Sequence, residues 1–167
     1  MNNDNVFSHI TSQGKARMVN ISAKSITKRM ARAESLVKVG TDIIKKIRDC
    51  GGLGKGKVME AARISGIFAA KHTSELIPMC HPLLLDAVEI DIELDKDTVR
   101  IESRIYSEGK TGVEMEAMTA AAISALTVYD MVKSAGKGIQ IGPVRLLEKE
   151  GGKSGHWHSK ELDDAAS

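Results

Sequence analysis

The stretch AVEIDIELDKDTVRIESRI, residues 87–105, decides the fold. Val88, Ile90, Ile92 and Leu94 alternate with Glu89, Asp91 and Glu93; Val99, Ile101 and Ile105 alternate with Arg100, Glu102 and Arg104. A period of two in both runs marks strands with one face buried and one face charged. Asp95-Lys96-Asp97 between them is the turn of an antiparallel hairpin. The first strand is acidic and the second basic, so pairing them adds favourable cross-strand contacts.

Outward from the hairpin, the period changes. Upstream, Pro78 and Pro82 stiffen the connection PMCHP, and Val58, Ala61, Ala62, Ile64, Ser65, Phe68 and Ala69 recur at helical spacing. Before that, Thr41 and Asp42 supply an N-cap for a helix striped by Ile43, Ile44 and Ile47 and ended by Gly51 and Gly52. Ala31 to Val39 reads as a strand. Downstream, Thr111 to Ser134 is a long Ala- and Met-rich helix closed by Gly136, and Val144 to Leu147 is a short strand after Gly142-Pro143. The order is strand, helix, helix, strand, strand, helix, strand. This predicts an α+β chain: a ferredoxin-like split βαβ sandwich with an extra helix, its antiparallel sheet covered by helices on one face. Residues 1–20 are expected to form a flexible arm, 21–155 a single domain, and 156–167 a disordered tail.

Composition narrows the function classes. The 167 residues carry a formal net charge of +2, which argues against a dedicated nucleic-acid binder. Aromatics are only 3% of residues, so base stacking is a poor candidate for the main binding mode. Two cysteines make no disulfide framework and fit a reducing compartment. No apolar run approaches membrane-spanning length and no signal peptide is visible, so a cytoplasmic protein without membrane partners is expected.

Several motifs bear on chemistry. Gly51-x-x-x-x-Gly56-Lys57 matches the front of a phosphate-binding loop, but Val58 stands where the motif needs Ser or Thr, and a helix precedes it where the motif needs a strand. An ATPase is therefore rejected. What survives is a set of three Gly-Lys segments, around Lys55, Lys110 and Lys153, whose glycine backbones and flexible cations suit an anionic ligand. In the long helix, Thr111-Gly-Val-Glu114 reads as a capping box, which explains Glu114 but not Glu116. Asp130 and Lys133, three residues apart, share a helix face; they form either a surface ion pair or a coupled acid–base pair. Glu116 and Asp130 lie within about 40° of one another around the helix but roughly 21 Å apart along it. If both serve one small substrate, the site needs two subunits. His81 sits on a proline-stiffened loop. Cys80 and His81 are adjacent, with no second CxxC or HxxxH, so no metal site is expected.

Three segments together resemble the cyclic pyranopterin monophosphate synthase family, molybdenum cofactor biosynthesis protein C: ARISGIFAAKHTSELIPMCHPL from Ala62, GKTGVEMEAMTAAAISALTVYDMVK from Gly109, and GPVRLLEKEGGKSG from Gly142. The resemblance runs from about Phe7 to Gly155. It implies a ferredoxin-like fold and a lyase that converts 3′,8-cyclo-7,8-dihydro-GTP to cyclic pyranopterin monophosphate with release of pyrophosphate. It implies a homo-oligomer, a hexamer built as a trimer of dimers, with sites at a dimer interface. On matching positions it makes Asp130 and Lys133 the acid–base residues. Lys55, Met79, Cys80, His81, Met115, Glu116, Lys149 and Lys153 become substrate-binding residues. No cofactor is expected, although magnesium could arrive with the triphosphate. The alternative is a nucleotide-binding regulatory domain of the same fold without turnover. The segment His156-Trp157-His158 has no role in this scheme.

Overall fold

The structure, a computed structural model, describes residues 8–49, 53–153 and 155–159, leaving out the side chains of 53–56. Among the described residues, five strands and four helices follow one another as β1 (Thr27–Lys38), α1 (Thr41–Asp49), α2 (Leu53–Lys71), α3 (Thr73–Leu76), β2 (Ala87–Leu94), β3 (Thr98–Gly109), α4 (Glu114–Val132), β4 (Gln140–Glu150) and β5 (Trp157–His158). The strands form one antiparallel sheet in the order β2-β3-β1-β4-β5, an α+β ferredoxin-like arrangement.

The hairpin forms as its alternation predicts. β2 and β3 pair with Glu89 opposite Arg104 and Glu93 opposite Arg100, and Asp95 N–H donates to the Thr98 carbonyl at 2.9 Å to close the turn. Ile90, Val99, Ile101 and Ile105 point into the core with Ala31, Ala33 and Val37 of β1. Their opposite neighbours build a charged lattice on the other face. There Glu34, almost fully buried, accepts from Arg100 at 3.0 Å and from Arg145 at 2.6 Å. Arg32 reaches Glu102 at 3.3 Å and Glu148 at 3.1 Å.

Small residues allow the helices to approach closely. Ala117, Ala120, Ala121 and Ala125 of α4 and Ala62 of α2 are fully buried. Ser124 Oγ donates to the Ala62 carbonyl across the crossing at 2.9 Å. The single apolar faces of sheet and helices can be buried only against one another, which fixes the two-layer form.

Several boundaries differ from the sequence expectation. β1 begins at Thr27 rather than Ala31, and β4 runs over eleven residues rather than four. Turn-like signals hid the longer β4: Gly142-Pro143 is a cis pair sitting at an irregularity in the register, which leaves proline outside the ladder. α2 begins at Leu53, so Lys55 lies in its first turn and not in a loop; its side chain is outside the described residues. Gly51 and Gly52 are also outside them. The disordered tail expected from residue 156 is corrected at its start, because Trp157 and His158 pair with Lys149 and Glu148 as β5. A two-residue strand has almost no periodicity to detect. Residues 160–167 lie outside the described residues.

Candidate active site

The segment Thr111-Gly112-Val113 leads from β3 into α4 and forms the wall between two joined cavities. The expected capping box is not made: Val113 is the N-cap residue, and no side chain caps the helix. Glu114 turns instead toward β4, where Lys149 Nζ donates to its Oε1 at 3.1 Å. Gly112 leaves room for the Glu114 carboxylate, which a Cβ there would meet and displace.

The larger cavity, about 820 Å³, is lined by Lys24, Arg29, Lys110, Lys149 and Lys153. The smaller, about 240 Å³, is lined by Met79, Cys80, His81, Met115 and Glu116. Ser8, Lys24, Thr111, Gly112 and Glu114 border both, so the two are compartments of one site. One compartment is cationic. The other offers a carboxyl, a thiol, an imidazole and two thioethers.

Local structure delivers each cation. Strand alternation puts Arg29 on the same face as Ala31 and Ala33, toward the helices and the cavity. Lys110 follows β3 and holds the N-terminal segment by donating to the Ser22 carbonyl at 2.8 Å. Lys149 depends on a bulge. Arg32 pairs with Glu148 but Ala33 pairs with Leu146, leaving Leu147 as an extra residue. The extra residue reverses the alternation, sending Lys149 to the cavity and Glu148 to the opposite face.

Glu116 is the perturbed group. It is 4% exposed, and burial, with the nearby Glu114 charge adding to it, raises its pKa to about 7 against the pull of its own backbone N–H. A carboxyl poised there can give or take a proton near neutral pH. Burial, and secondarily the Glu116 charge, pushes the Cys80 thiol up, so Cys80 stays a thiol rather than a nucleophilic thiolate.

Asp130 and Lys133 stand at the other end of α4, joined at 2.5 Å between Lys133 Nζ and Asp130 Oδ1, both side chains well exposed. The hydrogen bond to Asp130, then its charge, holds the Lys133 pKa above the ordinary lysine value. The structure thus brings Met79, Cys80, His81, Met115, Glu116, Lys149 and Lys153 to one site. Within a single chain it leaves Asp130 and Lys133 apart from them. His72 lies elsewhere, stacked on Phe68 with ring centroids 4.1 Å apart and 3.0 Å from Glu75.

Arg29 and Lys24 are cavity residues that the sequence motifs do not single out. Extending the strand back by two residues would have found Arg29, since it keeps step with Ala31 and Ala33. Lys24 precedes the strand and carries no such signal.

The family model of the MoaC family matches residues 18–152, which contain every cavity residue except Ser8, His9 and Lys153. The chain belongs to the MoaC family. This is the family of cyclic pyranopterin monophosphate synthase, and membership gives the chain a role in molybdenum cofactor biosynthesis. No helix among the described residues is long and apolar enough to cross a membrane.

Proposed function

We propose that this chain is a cyclic pyranopterin monophosphate synthase, a lyase that converts 3′,8-cyclo-7,8-dihydro-GTP to cyclic pyranopterin monophosphate and pyrophosphate in the cytoplasm. The observation that carries this is the division of one cavity into a cationic compartment and a compartment built around Glu116. A triphosphate needs the first, and a guanine-derived ring with N–H donors needs the second. Arg29, Lys110, Lys149 and Lys153 would neutralise the charge that develops as pyrophosphate leaves and the cyclic phosphate closes. Glu116 would accept from the ring N–H groups, and Met79, Cys80, His81 and Met115 would line the ring's other edges. Lys55 would join the phosphate contacts. Any magnesium would arrive on the triphosphate as part of the substrate.

Opening the purine ring and closing the pterin move protons on and off nitrogen and oxygen. We assign this to Asp130 and Lys133 of a second subunit. Lys133, held protonated by Asp130, would enter as the acid, with Asp130 orienting it. The exposed Leu126, Tyr129 and Met131 around the pair, and Ile64 and Phe68 on α2, support burial of this side of the helices in a homo-oligomer, a hexamer built as a trimer of dimers.

The deciding experiment is pyrophosphate release from 3′,8-cyclo-7,8-dihydro-GTP by wild type, Lys133→Ala and Glu116→Gln. Wild type should turn over, and each variant should be strongly impaired. Random mixing of the two variants should restore about a quarter of wild-type activity, because half the dimers are mixed and each mixed dimer has one intact site. No recovery on mixing would rule out the shared site. A folded wild type that binds the substrate without releasing pyrophosphate would leave a nucleotide-binding regulatory domain in its place.

A further inference from the structure

His156, Trp157 and His158 lie outside the cavity chemistry, yet the fold brings them onto a defined surface. His156, just before β5, and His158, in it, are two residues apart, so in extended backbone both point to one face and Trp157 to the other. β5 pairs antiparallel with β4, with His158 opposite Glu148 and Trp157 opposite Lys149. One further step in the same register sets Glu150 opposite His156. The bulge at Leu147 has already turned Glu148 and Glu150 to the face away from the cavity.

The result is a cluster of nitrogen and oxygen donors. His156 Nε2 lies 2.8 Å from Glu148 Oε1 and 3.9 Å from Glu150 Oε1. One donor atom from each of the three residues falls within 4.8 Å of the others. Zinc bound tetrahedrally by nitrogen and oxygen holds neighbouring donor atoms about 3.3 Å apart, given its bond lengths of about 2.0–2.1 Å. The two His156 distances bracket that value, so the imidazole stands at coordination-like spacing from both carboxylates. The His158 ring stands beside it, its centroid 5.7 Å from that of His156. Arg32 Nε donates to Glu148 Oε2 at 3.1 Å, fixing the carboxylate with Oε1 turned toward His156, as outer partners of metal ligands do.

We propose that Glu148, Glu150 and His156 form a binding site for a divalent transition-metal ion, zinc by its donor set, on the open face of the sheet. Imidazole with two carboxylates suits zinc over magnesium or calcium, which favour oxygen alone. The ion would cross-link the C-terminal strand to β4. The sequence alone hides such a site, because its ligands come from two strands and only the register unites them.

Trp157 is the chain's one tryptophan and lies between the two histidines, so it reports on the site. The untagged, chelator-treated full chain is titrated with zinc chloride by calorimetry, and with cobalt chloride while Trp157 fluorescence and visible absorption are followed. One zinc per chain is expected, with cobalt quenching Trp157. His156→Ala and Glu150→Gln should each weaken zinc at least about tenfold, since even outer partners of metal ligands cost that much. His72→Ala, a change at an exposed histidine elsewhere, should leave binding unchanged. Glu150→Gln replaces an exposed carboxylate by an isosteric amide, so its fold is safe even if His156→Ala loosens the strand. No zinc uptake, or uptake unchanged in both ligand variants, would reduce the cluster to a hydrogen-bonded clasp and overturn the proposal.

Discussion

Lys149 Nζ and Glu114 Oε1 meet at 3.1 Å across the gap between β4 and the first turn of α4. The pair is partly exposed, and such ion pairs contribute about 0–1 kcal/mol. Lys149→Ala should therefore barely move the melting temperature, while it removes one cation from the phosphate compartment. Calorimetry with inorganic pyrophosphate should show about tenfold weaker binding and a shallower dependence on salt. Unchanged affinity would remove Lys149 from the phosphate site.

Glu116 makes stability depend on pH. Below about pH 4.5 its carboxyl is protonated in both folded and unfolded chains, and it carries no penalty. Between about 4.5 and 7 the unfolded chain gives up the proton first, so stability falls as pH rises. Above about 7 the full penalty, about 3 kcal/mol, is present. Glu116→Gln should thus be more stable than wild type at pH 8, with the difference vanishing near pH 4. Urea denaturation across that range is the measurement, and parallel curves for the two proteins would refute the burial argument.

Gly66 lies at the crossing of α2 and α4. A Cβ there would meet Ser124 Oγ and Ile90 Cδ1, and would stand 3.0 Å from the Ala120 carbonyl. Because the interior is already filled, Gly66→Ala should cost about 1–3 kcal/mol, despite the higher helix propensity of alanine. Thermal unfolding would show it as a lowered melting temperature, and a raised one would mean the two helices can part without cost.

The hairpin and the long helices were legible because each carries one unbroken period and a buried face. Asp130 and Lys133 were legible as a pair, since i, i+3 spacing on a helix fixes their proximity. The start of β1 was hidden because Thr27, Lys28 and Arg29 are polar, and nothing apolar marks the cavity face there. Glu114 was misread because its spacing from Thr111 is that of a capping box, whereas Lys149 competes for the same carboxylate from a strand thirty-five residues away. The cavity's cationic half became visible only when register and bulge were known, since they decide which side of β4 each charged residue occupies.

The bulge at Leu147 acts as a parity switch. Were the strand to run straight through Leu147 with no bulge, every residue beyond it would change sides, turning the cation of the phosphate pocket outward and an acid inward. The irregularity in the ladder, and not only the identity of Lys149, is therefore what gives the phosphate pocket its cation.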